Sequence, residues 1–243
     1  MRQISLMYHD VYFQSPGESG LAADMYKISV SQFEEHIKRI CDLKKLVSSS
    51  IVLTFDDGGS SFYAPISQIL DKYSLKGYFF VATDYIGKTG FLSEEQIIDI
   101  EKRGHIIGTH SHFHPENISA LSPIEIEFEW VESVRILSRI LGHTIQFGSI
   151  PNGYQSDIVL NAAAKAGIKE LFTSEPLCKE RRYKDLTLFG RFVVLSGMTD
   201  DDILTLILSK KKRLLLRLKW LALKVPKYFL GDKYEVVKQR LFR

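Results

Sequence analysis

The chain has 243 residues, of which 45% are hydrophobic and 25% charged, with a formal net charge of +3. This is enough apolar material for one large core, and α/β barrels commonly occupy this length as a single domain. Two cysteines, Cys41 in an amphipathic run and Cys178 in a polar loop, exclude a disulfide framework and read as free thiols.

Taken in chain order, Ile4–Tyr8 is an apolar run that reads as a strand ending in the polar pair His9 and Asp10. Tyr12–Tyr26, with Pro16 and several small residues, reads as a long loop, and Ser31–Leu46 carries a helical period. The next buried strand, Ile51–Phe55, runs straight into Asp56, Asp57, Gly58 and Gly59. Successive strand side chains point to opposite faces, so these two acids are not expected to share one task. One could hold a metal while the other takes a proton; alternatively, Asp-Gly simply makes the turn after the strand.

Ala64–Tyr73 and Ser93–Lys102 read as helices around a strand at Gly77–Ala82, and a further strand is expected at His105–Thr109. The segment from Gly104 to Pro115 holds four of the seven histidines. Catalytic metal sites typically combine imidazoles with a carboxylate and keep a position open. His110 and His114 are four apart and can converge on one ion, whereas His105 and His112 read as structural. Pro115 disfavours a helical conformation at His114, which places the pair on a loop after the strand.

Helices at Pro123–Leu141 and Asp157–Ala166 then alternate with strands at Ile145–Ile150, Glu170–Thr173 and Arg191–Leu195. Such alternation argues for parallel strands with crossover helices, and chemistry at the carboxyl ends of the strands.

Two of these segments together resemble a known family. Thr54-Phe55-Asp56-Asp57-Gly58 and, about fifty residues later, Gly-Thr-His110-Ser111 with His114-Pro115 are similar to the first two motifs of the polysaccharide deacetylases with NodB homology. The resemblance spans roughly residues 1–200. It implies a distorted (β/α)7 barrel of α/β class, with a divalent metal, most commonly Zn2+, held by Asp57, His110 and His114. It also implies that Asp56 is the general base toward the attacking water.

Later motifs depart from the family. The chain has no histidine after His143, so the usual late Leu-x-His acid is missing. Tyr8-His9 resembles the N-terminal motif of the exopolysaccharide-modifying branch, which implies that His9 supplies the acid, with Asp10 orienting it. The bland alternative is a strand-capping His-Asp pair. Ile145 to Tyr154 resembles Phe-x-x-Pro-Tyr-Gly with an additional residue before Pro151 and Asn152 where tyrosine is usual. A backbone donor survives that exchange, so Asn152 can still serve the oxyanion. The motif's arginine is absent, and Arg191 is the expected replacement to pair with Asp56, against the alternative of a surface strand residue. No sugar-stacking aromatics are recognisable near the motifs.

The last thirty-five residues differ in kind. From Ser209 to Arg243 twelve Lys or Arg face two acids, a net +10, so residues 1–208 carry −7. The expected organisation is therefore a catalytic domain at 1–208 and a basic amphipathic extension at 209–243. Leu214, Leu218, Leu221 and Val225 form one helical stripe, with Lys210, Arg213, Arg217, Lys224 and Lys227 on the other and Trp220 among them. Such a helix fits an anionic membrane surface without spanning it, or packs its leucines on the barrel. Nucleic acid is not expected as a partner, because the body is acidic and carries no recognised motif.

The first residues lack the apolar core of a secretory signal, so a cytoplasmic location, peripheral at the inner membrane face, is expected. The resulting expectation is a metal-dependent hydrolase removing an N-acetyl group from an amino sugar of a surface glycan or its lipid-linked precursor. Two alternatives stand beside it: an inactive glycan- or partner-binding barrel at the membrane, and a metal hydrolase of non-sugar C–N bonds.

Overall fold

The computed structural model describes residues 3–44 and 50–230. Apolar segments form the strands β1 (Gln3–Tyr8), β2 (Val11–Tyr12), β3 (Ile28–Ser29), β4 (Ser50–Phe55), β5 (Gly77–Val81), β6 (Ile106–Thr109), β7 (Phe147–Ser149), β8 (Glu170–Phe172), β9 (Arg181–Tyr183), β10 (Leu186–Phe189) and β11 (Phe192–Val193). The main sheet runs β11-β1-β4-β5-β6-β7-β8-β10-β9 and is parallel except for the β9/β10 hairpin. Short β2 and β3 pair separately, so the expected long loop after Tyr12 is pinned at both ends.

The sheet curls into the distorted (β/α) barrel that the alternation implied. Its closure lies in one strand-length of chain. β10 pairs with β8 and β11 pairs with β1, yet only Gly190 and Arg191 separate them. A Cβ on Gly190 would sit 2.4 Å from the Glu175 carbonyl oxygen and 2.7 Å from that of Leu177, so only glycine fits the crossing. The seventh barrel strand thus starts earlier than its apolar run suggested, and Arg191 falls in its break.

Helices cover the outside: α1 (Val30–Lys44), α2 (Gln68–Lys72), α3 (Glu94–Lys102), α4 (Pro123–Leu141), α5 (Asp157–Lys165), α6 (Asp200–Leu208) and α7 (Lys210–Leu230). Ser93, Ser122 and Thr199 start α3, α4 and α6 with reciprocal capping boxes, and Gly142 ends α4 at φ 77°. The expected helix Ala64–Tyr73 is divided: Tyr63–Ser67 forms a π-helical turn, with Ala64 extended before Pro65, and α2 continues from Gln68. Between the sheet and its helices, Phe55 stacks between Tyr8 at 5.6 Å and Phe79 at 4.9 Å, with Phe33 of α1 and Phe62 edge-on. Burying such a side chain contributes about 1.5–3 kcal/mol. Cys41 and Cys178 are not joined in a disulfide.

His105 closes the opposite end from the acid pair. Its Nδ1 accepts the Gly77 N–H at 3.2 Å, its ring meets Phe79 edge-on, and its Nε2 lies 3.2 Å from Asp71 Oδ1. Burial, opposed by Asp71 and reinforced by Lys76 and Arg103, pushes its pKa down from 6.5 to about 4. As pH falls, the unfolded chain therefore takes the proton first. The stability that neutral His105 contributes is complete above about pH 6.5 and is lost on the way to about pH 4. His105→Asn, which keeps an acceptor for Gly77, should show a smaller fall in urea midpoint across that window than wild type; an equal fall would contradict the assignment.

Candidate active site

Parallel strands deliver their carboxyl ends to one rim. His9 and Asp10 follow β1, Asp56 and Asp57 follow β4, His110 follows β6, and Pro151 and Asn152 lie two and three residues beyond β7. Arg191 arrives from the seam.

Asp56 and Arg191 are both buried and form a two-pronged ion pair, Nη1 to Oδ1 at 2.6 Å and Nη2 to Oδ2 at 2.8 Å. The guanidinium also donates to the Thr54 hydroxyl, the Thr173 carbonyl and the Ser149 hydroxyl, and Ser149 Oγ donates on to Asp56 Oδ2. Burial acts to raise the Asp56 pKa, but Arg191 and then His110 outweigh it and hold the carboxyl below its usual range. Asp56 is thus kept ionised, the form that accepts a proton.

Asp57 turns the other way. Its backbone has φ 92°, and its Oδ1 lies 3.5 Å from His110 Nε2 and 3.4 Å from His114 Nε2. One donor atom from each of the three residues falls within 4.8 Å of the others, a spacing that fits a single divalent ion. Against burial, the His114 hydrogen bond and then His9 hold the Asp57 carboxyl well below the ordinary range. The Ser149 carbonyl lies 3.0 Å from His110 Nδ1 and can only accept, so that nitrogen carries the proton and Nε2 presents its lone pair to the cluster. Burial pushes His110 down to about 4, which keeps it neutral, the form that ligates.

Of the six described non-glycine residues with positive φ, Asp57, Ser111, His114 and Asn152 all lie at this rim. Conformations of this kind cost on the order of 1–3 kcal/mol and persist only when surrounding contacts over-determine them. Here those contacts are visible. The buried Glu129 of α4 accepts the N–H groups of His112 and Phe113 at 2.8 and 2.9 Å, and Ser111 Oγ accepts that of His114. Thr109 pairs with Ser133 of α4, and the ring of His112 lies 2.9 Å from the Thr83 hydroxyl.

His9 is packed against Tyr26 at 5.0 Å, its Nδ1 buried without a hydrogen-bond partner among the described residues. It acts electrostatically on both Asp56 and Asp57. Asp10 does not orient it. Its Oδ1 accepts from the Ser19 and Ser61 hydroxyls, and Lys27 donates to the Ser19 carbonyl at 2.7 Å, so Asp10 instead ties down the segment between β2 and β3. Asn152 has φ 52° in the turn after Pro151, and its side chain reaches toward the Pro115 carbonyl at 3.5 Å. That contact bridges the third motif to the histidine loop. Beside His114 opens a groove of about 410 Å³ lined by Phe113, Pro115, Leu121, Ile124 and Phe128. Phe113 and Phe128 are 51% and 48% exposed with nearly parallel rings 6.1 Å apart, so aromatics do flank the motifs.

A curled β/α barrel thus presents a carboxylate and two imidazoles, a candidate metal-binding set, at the carboxyl ends of its strands. Residues 44–171 match the model of the polysaccharide deacetylase family, and the chain belongs to that family. YxkH of Bacillus subtilis (strain 168) is 27% identical over 188 residues, 70% of this chain and 64% of that protein. A peptidoglycan-N-acetylglucosamine deacetylase of Bacillus cereus is 30% identical over 108 residues, 43% of this chain and 37% of that protein. The chain thus spans less than two thirds of either relative. In fold it is similar to the Streptococcus pyogenes deacetylase PplD, solved with acetate, at a TM-score of 0.73 and 23% identity over 86% of this chain and 99% of that one.

Breaking a buried ion pair from one side costs about 3–5 kcal/mol, because the other charge is left without compensation. Arg191→Met should therefore lower unfolding free energy by about that amount in the presence of chelator, and adding Asp56→Asn should recover part of it. Losses that simply add in the double variant would contradict a direct pair.

Proposed function

We propose that this protein is a metal-dependent de-N-acetylase acting on an N-acetylated amino sugar. The observation that carries the reading is the divided acid pair, Asp57 facing His110 and His114 while Asp56 faces Arg191. Two imidazoles and a carboxylate suit Zn2+ and leave a position open. When bound, such an ion lowers the pKa of water toward about 7 and polarises the acyl oxygen.

The chain's own residues supply the rest. Asp56 accepts a proton as water attacks the acetamide carbon, with Arg191 and Ser149 fixing which oxygens face the site. The backbone at Asn152 is offered to the developing oxyanion. His9 gives a proton to the departing nitrogen, so amide and water become amine and acetate. Phe113 and Phe128 offer flat apolar faces for the saccharide beside the acetamide.

The substrate class we favour is a surface glycan or its lipid-linked precursor. The named activity of the Bacillus cereus relative, on peptidoglycan N-acetylglucosamine, supports an amino sugar. Residues 1–208 form the catalytic part in this reading, and 209–243 give peripheral contact with an anionic membrane. None of the described helices is long and apolar enough to cross one.

Zinc-loaded protein should release acetate from N-acetylglucosamine oligomers or from a lipid-linked N-acetylated sugar. Asp56→Asn and His9→Ala should each lower that rate by about 10²–10⁴-fold while metal stoichiometry stays unchanged. Loss of metal in His9→Ala would make it a structural residue. Absence of acetate from every amino sugar would favour an inactive barrel or another C–N substrate.

A further inference from the structure

The helix α7 is docked the opposite way round from its hydropathy. Arg213 and Arg217 face the body: Arg213 Nη1 donates to the Leu206 and Ile207 carbonyls at 2.6 Å each, and Arg217 Nη2 lies 3.7 Å from Glu175 Oε1. Leu216 packs on the core beside them. Leu214, Leu215, Leu218 and Leu221 point outward and are 58%, 62%, 55% and 44% exposed. The expectation that the leucines pack on the barrel is therefore reversed along this stretch. The arginines find two carbonyls from the last turn of α6 and the Glu175 carboxylate, which also pairs with Arg181.

Four neighbouring exposed leucines form a patch of the kind that marks a partner or a membrane. The charge around them selects between these. Lys210 and Lys211 at the start of the row and Lys219 within it are also exposed, and no acid occurs from 210 to 230. A second copy would bring two lysine borders together. An anionic bilayer instead offers apolar chains beneath the leucines and phosphate groups beside the lysines. Residues 1–208 carry −7, so the body is repelled by such a surface and only this helix is drawn to it.

The helix is also tied to the catalytic rim. Glu175, which Arg217 approaches, lies three residues beyond β8, and its backbone carbonyl accepts the Arg191 N–H at 2.9 Å. We propose that the outward leucine face of α7 rests in the headgroup region of an anionic bilayer and holds the rim beside it, so that the saccharide deacetylated is itself membrane-anchored. The membrane contact stands independently of the chemistry; the substrate half rests on the deacetylase reading.

Sedimentation with vesicles tests the first half. Wild type should pellet with vesicles of equal parts phosphatidylcholine and phosphatidylglycerol, far less with phosphatidylcholine alone, and less as salt rises. Leu214→Gln/Leu218→Gln/Leu221→Gln should fold normally by circular dichroism and stay in the supernatant. Lys210→Gln/Lys211→Gln/Lys219→Gln should partition about 100-fold more weakly. Failure of wild type to pellet, unchanged binding by the leucine variant, or a wild-type dimer in light scattering that this variant dissolves would each overturn the membrane assignment. For the second half, the leucine variant should lose acetate release from a lipid-anchored N-acetylglucosamine in these vesicles yet keep wild-type release from soluble oligomers. Equal rates on the anchored substrate would overturn the substrate half. Acetate from neither substrate with wild-type protein that still pellets would sink the deacetylase reading alone.

Discussion

A guanidinium and a carboxylate, both taken almost wholly out of water, meet where the barrel closes. Each would be prohibitively costly there alone. Together, with Thr54, Ser149 and Thr173 meeting the remaining donors and acceptors, they satisfy one another and join β4 to the seam between β10 and β11. The chain can make this crossing only because Gly190 lets its backbone pass against the Glu175 and Leu177 carbonyls. The fold and the site thus share one constraint: the same break that closes the sheet delivers the arginine.

Fixing Asp56 in this way leaves Asp57 to a different neighbourhood. Strand alternation and its positive φ aim it at His110 and His114, and Ser149 serves both sides, by its hydroxyl toward Asp56 and Arg191 and by its carbonyl toward His110. The histidine loop is in turn held by Glu129 from α4. The two adjacent carboxylates therefore have different principal partners: Asp56 is compensated chiefly by the permanent cation of Arg191, while Asp57 lies against His110, which burial keeps neutral, and His114, whose pKa the Asp57 hydrogen bond raises against burial.

How much of this could be read from sequence depended on how local each signal was. Asp56, Asp57, His110 and His114 stood out because paired acids after an apolar run and crowded histidines are dense local patterns, and barrel alternation was visible in the same way. Arg191 was a weaker inference, since its partner is 135 residues away. Ser149 and Glu129 were missed: a serine in a short strand and a glutamate on an amphipathic helix carry no signal until tertiary contacts assign them backbone and side-chain partners. Asp10 was misassigned because proximity to His9 in sequence suggested a pair, whereas Ser19 and Ser61 converge on it through space. Phe128 lies fifteen residues from Phe113, so their stacking was equally hidden. Helical periodicity shows both faces of α7 but not which one docks; the Leu206 and Ile207 carbonyls and the Glu175 carboxylate take the arginines and leave the leucines outside.

The division of the acid pair is tested most directly by calorimetric titration of Zn2+ into metal-stripped protein, comparing Asp56→Asn with Asp57→Asn. Asp57→Asn should abolish stoichiometric binding while Asp56→Asn retains one ion per chain. Equal loss in both variants, or loss confined to Asp56→Asn, would contradict it.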